Sequence, residues 1–85
     1  MALSFESFAE QLAHHLELPA TVPLEPGSLL ADDWQLDSLK MLELVLELED
    51  LTGRVLADDL AWSLKTVDDA FRVYSSLAQG PGSGT

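Results

Sequence analysis

The sequence predicts an all-α domain: four helices, with a long first loop and a short third helix. Three observations carry this. Apolar residues recur at spacings of three and four in separate stretches, each opened by a capping residue, and no run alternates apolar and polar as a half-buried strand would. The 85 residues allow one core and no second domain. With 47% apolar residues but only three Phe, two Trp and one Tyr, that core must be built mainly from Leu and Ala.

Each element follows in order. Ser4 is a good N-cap, and behind it Phe5, Phe8, Ala9, Leu12 and Leu16 form one helical stripe while Glu6, Glu10, Gln11 and Glu17 point elsewhere. Pro19 ends this first helix. From Pro19 to Asp37 the chain holds Pro23, Pro26 and Gly27 but also Val22, Leu24, Leu29, Leu30, Trp34 and Leu36. So apolar a segment is a loop pinned to the core, and loops of that length are usually functional. Ser38 to Thr52 reads as a second, unusually apolar helix whose Lys40, Glu43, Glu47 and Asp50 share one stripe, with Gly53 as its C′ residue. Asp58 is expected to cap a short third helix reaching Trp62. Thr66, with Asp69 three residues on, opens a fourth whose buried stripe is Val67, Ala70, Phe71, Tyr74 and Leu77. The helical domain is thus expected over residues 1–78. Residues 79–85, rich in Gly, Pro and Ser, are expected as a flexible tail, either an interdomain linker cut short or an expression remnant. Met1 favours an independent start; the tail allows excision from a larger synthase.

Four Lys and Arg against 15 Asp and Glu give a formal charge of −11. Such a surface repels phosphate backbones and anionic lipid, so neither nucleic acid nor a membrane is an expected ligand, and natural partners carry basic patches. The absence of Cys removes disulfide frameworks, thiolate zinc sites, cysteine nucleophiles and iron–sulfur ligation. No signal peptide or bilayer-length apolar run is present, and the reading is a cytoplasmic monomer.

Enzymatic and metal chemistry find no support. His14 and His15 are adjacent, about 100° apart around a helix, which suits a solvated face better than a shared metal even with Glu10 nearby. Asp32, Asp33 and Asp37 lack the Gly and the final Glu of a calcium loop. The pairs Asp58–Asp59 and Asp68–Asp69 sit at helix starts, where carboxylates favour the free N–H groups. A nucleophilic triad would need one of those His residues beside Ser38 and an oxyanion hole that no Gly-rich turn provides. No catalytic residue and no metal ligand is assigned.

Leu36-Asp37-Ser38-Leu39 stands where the long loop meets the second helix. Alone, such a Ser is a helix start. Together with Asp33, Leu42-Glu43-Leu44, Leu48-Glu49, Leu56, Asp58 and Thr66-Val67, the chain resembles acyl carrier proteins over nearly its whole helical length. The resemblance implies an acyl-carrier-like four-helix bundle. It also implies that Ser38 accepts 4′-phosphopantetheine from coenzyme A, that Asp37 helps a phosphopantetheinyl transferase and its magnesium engage the site, and that acyl or aminoacyl groups then travel as thioesters. The partners it implies are that transferase, a loading enzyme and downstream synthases. A phosphodiester on Ser38 would lie at a helix N-terminus, where free N–H groups and the dipole favour an anion. The alternative is an unmodified acidic interaction module that keeps the fold.

Two departures stand out. Trp34-Gln35 replaces the family's usual Leu-Gly, so if the backbone needs φ > 0 there, Gln35 must strain. Lys40 occupies a position often acidic in carriers of fatty acid synthesis, which points to a specialised polyketide or nonribosomal peptide pathway. Helical spacing and resemblance make Leu42, Leu46, Leu48, Leu56, Leu64 and Val73 candidate walls of an acyl pocket, with Ala61 and Ala70 leaving gaps. The expected partner face is Leu39, Lys40, Glu43, Leu46, Glu47 and Asp50, with Lys40 disfavouring enzymes built for an acid there.

Overall fold

The structure is a computed structural model that describes residues 3–84. Four helices follow one another: α1 (Phe5–His15), α2 (Ser38–Thr52), α3 (Asp58–Trp62) and α4 (Val67–Gly84). Among the described residues no strand forms, only an isolated antiparallel bridge between Leu29 and Thr66, and no helix is long and apolar enough to cross a membrane.

The caps are local chemistry. Ser4 Oγ accepts the Ser7 N–H at 3.2 Å and starts α1. The helix stops earlier than Pro19 requires. Glu17 turns left-handed at φ 58°, its N–H donates to the His14 carbonyl at 3.0 Å, and the Leu18 N–H donates to that of Ala13 at 2.9 Å. This is a Schellman closure with a non-glycine C′ residue, and it leaves Leu16 buried as the C-cap. Gly53, at φ 69°, ends α2 as expected.

Asp58, expected as the cap of α3, is instead its first helical residue. Ala57 takes the capping position with an extended backbone, and its carbonyl accepts the Leu60 and Ala61 N–H groups at 3.1 Å each. At α4, Thr66 Oγ1 accepts the Asp69 N–H while Asp69 Oδ2 accepts those of Thr66 and Lys65, all at 3.0 Å. These bonds hold the Asp69 carboxyl below its ordinary pKa, the N–H groups of Thr66 and Lys65 being the main cause. Helical backbone continues over 79–84, the stretch expected as a flexible tail. Among the residues whose side chains are described, the stripe that packs on the core reaches to Leu77, and Thr85 lies outside the described residues.

α1, α2 and α4 enclose a core in which Phe8, Leu12, Leu44, Leu48 and Val67 are fully buried. Phe8 stacks on Tyr74 with centroids 4.9 Å apart, and Phe71 meets Phe5 edge to face at 5.4 Å. The long loop is tied to this core, as its composition predicts. Trp34 is buried and its indole N–H donates to the Pro23 carbonyl at 2.7 Å. The start of α4 holds the loop from the other side: the Val67 N–H donates to Ser28 O at 2.9 Å, Asp68 N–H to Pro26 O at 3.0 Å, and Leu30 N–H to Lys65 O at 2.9 Å. Gln35 adopts φ 56°, the strain foreseen where the glycine is missing. Leu36 then re-enters the core, and its N–H donates to Leu30 O at 3.0 Å, which fixes where α2 begins.

Candidate functional site

Asp37 caps α2 from an extended conformation, its Oδ1 accepting the Lys40 N–H at 2.8 Å. One carboxylate oxygen is therefore spent on the helix. Ser38 is the first helical residue, exposed, and its hydroxyl makes no hydrogen bond among the described residues. A nucleophilic or modifiable oxygen is thus presented at a helix N-terminus with nothing to displace.

From Ser38 a single face of α2 runs through Met41, Leu42, Val45, Leu46 and Glu49, at steps of three, four, seven, eight and eleven residues. Across from it stand Leu56, Ala61 and Trp62, and between the two sides lies an apolar groove of about 240 Å³. Its axis along α2 is about 16 Å, at 1.5 Å per residue from Ser38 to Glu49. Trp62 leaves 79% of its surface exposed, an unusual cost for so large an apolar group.

Four of the expected pocket residues, Leu42, Leu46, Leu56 and Ala61, come together here. Leu48, Leu64 and Ala70 do not: they are buried in the closed core. Val73 borders a separate shallow groove with Leu60, Arg72, Ser76 and Leu77. Met41, Val45, Glu49 and Trp62 line the site without having been singled out. Counting threes and fours from Ser38 itself would have found the first three, because the face that carries the attachment point is the face that carries the groove.

The expected partner face divides. Leu39 and Leu46 are exposed, 63% and 52%, and Asp50 is exposed as well. Glu47 is not on that face. It is 8% exposed, with Oε1 3.3 Å from His15 Nδ1 and Oε2 accepting from Gln11 Nε2 at 3.4 Å, and so belongs to the seam between α1 and α2. Spacing along α2 could not place Glu47, because nothing along the chain says that Gln11 and His15 of α1 lie beside it. Lys40 is likewise engaged. Its ammonium donates to the Leu16 carbonyl at 2.8 Å and lies 3.5 Å from Glu43 Oε1, so it is not a free positive charge beside Ser38.

Asp33 Oδ2 accepts the Leu29 N–H at 2.7 Å and closes a turn of the loop. Among the described residues no group of three or more His, Asp or Glu side chains is placed to hold a metal ion.

No protein-family profile matches the chain. A curated relative does: the chain is 38% identical over 73 residues to the acyl carrier protein of Acidothermus cellulolyticus, covering 82% of this chain and 87% of that one.

Proposed function

Since the chain belongs to the acyl carrier protein family, we propose that it is phosphopantetheinylated on Ser38 and carries acyl or aminoacyl thioesters between biosynthetic enzymes. The observation that carries this reading is the free, exposed hydroxyl of Ser38 at the head of an apolar groove.

The residues fit the group. Ser38 Oγ is accessible for a phosphodiester, the opening turn of α2 favours the anion despite the net charge of −11, and no side chain occupies the hydroxyl. Asp37 leaves Oδ2 without a hydrogen-bond partner among the described residues, available to a transferase and its magnesium while Oδ1 holds the helix. In the loading reaction a bond forms between Ser38 Oγ and the phosphorus that carries the pantetheine, the pyrophosphate bond of coenzyme A breaks, adenosine 3′,5′-bisphosphate leaves, and the hydroxyl proton passes to a base of the transferase or to water. The bound group would supply the terminal thiol that this cysteine-free chain lacks. The chain's own part is positioning: it presents the attachment point, shelters apolar cargo in the groove and offers Leu39, Glu43, Leu46 and Asp50 to partners with basic docking patches.

Lys40, where carriers of fatty acid synthesis often hold an acid, favours a polyketide or nonribosomal peptide setting. The test is intact mass after incubation with coenzyme A and a broad-specificity phosphopantetheinyl transferase. One added phosphopantetheinyl group is expected on the parent chain and none on Ser38→Ala with its helical circular dichroism preserved. An unmodified parent chain would return the protein to the class of unmodified interaction modules.

A further inference from the structure

Among the described residues, the groove below Ser38 is apolar along its length except at its far end. There Glu49 is the single charged lining residue among those described, half-buried, and it sits eleven residues beyond the attachment point on the same face. One of its oxygens, Oε2, accepts the Leu56 N–H at 2.8 Å, which holds the carboxylate in place against the segment between α2 and α3. Among the described residues no Lys, Arg or His is within ion-pair distance of it. The second groove on its other side adds Glu47 and Asp50 against Arg54 and His15, so the negative sign is not cancelled there.

A carboxylate with a fixed orientation at the end of an apolar channel discriminates by charge. A cation reaching it gains a charge-assisted hydrogen bond, an uncharged methyl gains nothing from it, and an anion is repelled where low-dielectric walls strengthen the effect. We propose that Glu49 selects the cargo: the groove favours an acyl chain that ends in an amine over one that ends in a carboxylate. This inference rests on the reading of the groove as the shelter for cargo attached at Ser38.

The experiment loads Ser38 of the full chain with coenzyme A analogues bearing octanoyl, 8-aminooctanoyl or 7-carboxyheptanoyl through a stable amide. Melting temperature and the amide resonance of Leu56 are then measured. The amino chain is expected to melt about 4 °C or more above the carboxylate chain, and to move the Leu56 resonance further than octanoyl does. In Glu49→Gln, which keeps an acceptor for the Leu56 N–H, the gap closes; in Glu6→Gln, on the exposed face of α1, it persists. If Glu49→Gln fails to fold, the gap on the parent chain must shrink with added salt. Equal melting temperatures for the two charged chains, with octanoyl still raising the melting temperature, would overturn the selection and leave the shelter standing. No rise with any chain would overturn the shelter and the selection together, and a chain that accepts no analogue would overturn the assignment of Ser38.

Discussion

Lys40 closes the end of α1 from the start of α2: its ammonium lies 2.8 Å from the carbonyl oxygen of Leu16, the C-cap residue. A cation at a helix C-terminus meets both the unpaired carbonyl and the negative end of the dipole. The same side chain reaches Glu43 at 3.5 Å, so the end of α1 and the first turns of α2 are tied at one point.

Removing that tie should cost stability before it changes recognition. Lys40→Ala is expected to lower the unfolding free energy by about 1 kcal/mol in urea titration. Lys40→Arg should retain part of it. Lys40→Asp should lose more, because an acid then faces the Leu16 carbonyl and Glu43, and any gain in transfer by enzymes of fatty acid synthesis must be read against that loss. Unchanged urea midpoints in all three variants would mean the contact contributes nothing in solution.

The acidic residues of α2 should separate into two kinds. Asp50→Lys is expected to leave stability within about 0.5 kcal/mol, Glu43→Lys to lower it by up to about 1 kcal/mol because a second ammonium then faces Lys40, and both to slow thioester transfer to a synthase with a basic patch, less so as salt rises. Glu47→Lys removes the acceptor that faces His15 and Gln11, places an ammonium in the α1–α2 seam and should lower stability by roughly 1–3 kcal/mol. Thermal melts together with transfer rates at several ionic strengths distinguish the two. If Glu47→Lys melts like the parent and slows transfer as much as Glu43→Lys, the seam is not where Glu47 acts.

The Gln35 backbone at φ 56° carries strain that glycine would relieve. Gln35→Gly is expected to raise stability by up to about 1 kcal/mol, the relief being partly offset by the greater freedom of glycine in the unfolded chain. Gln35→Val should lower it by about 1–2 kcal/mol, since a β-branched side chain tolerates the left-handed region least. The order Gly above Gln above Val in chemical denaturation is the check.

Gln35 also shows what the sequence made legible. Missing glycines, capping residues and the spacing of Leu and Phe are local signals, and they located all four helices, the Thr66–Asp69 cap and the pinned loop. The destinations of long side chains are not local. Glu47 and Lys40 looked like surface charges because nothing along the chain says that Gln11, His15 and Leu16 would lie beside them. The groove was legible in part for the same reason. Its α2 face follows from period alone, but assigning Leu48 or Ala70 to the core and Leu42 to the groove requires knowing which side α4 covers.

Asp69 makes part of the stability depend on pH. Its folded pKa lies below the ordinary value of 3.8, so the unfolded chain takes up the proton first as pH falls. The contribution is present above about pH 4 and is lost as pH drops through the folded pKa. Asp69→Ala should cost about 1 kcal/mol at neutral pH through the lost cap, and its stability curve below pH 4 should be flatter than that of the parent. Parallel curves would assign the acid sensitivity to other carboxylates.

Trp62 gives the groove an optical reporter. Trp34 is 1% exposed and Trp62 79%, so the two differ in access to a quencher and Trp62 accounts for the long-wavelength emission. Trp62→Phe should leave only the shielded, shorter-wavelength emission of Trp34 with stability within about 0.5 kcal/mol of the parent. Because Trp62 lines the groove with Leu42, Leu46 and Leu56, an octanoyl chain lying there covers its ring and removes apolar surface from water. Loading Ser38 with octanoyl should therefore shift the emission to the blue and reduce acrylamide quenching relative to the arm without cargo, in the parent chain and not in Trp62→Phe. Equal quenching with and without octanoyl, on protein shown by mass to be fully loaded, would place the cargo in solvent.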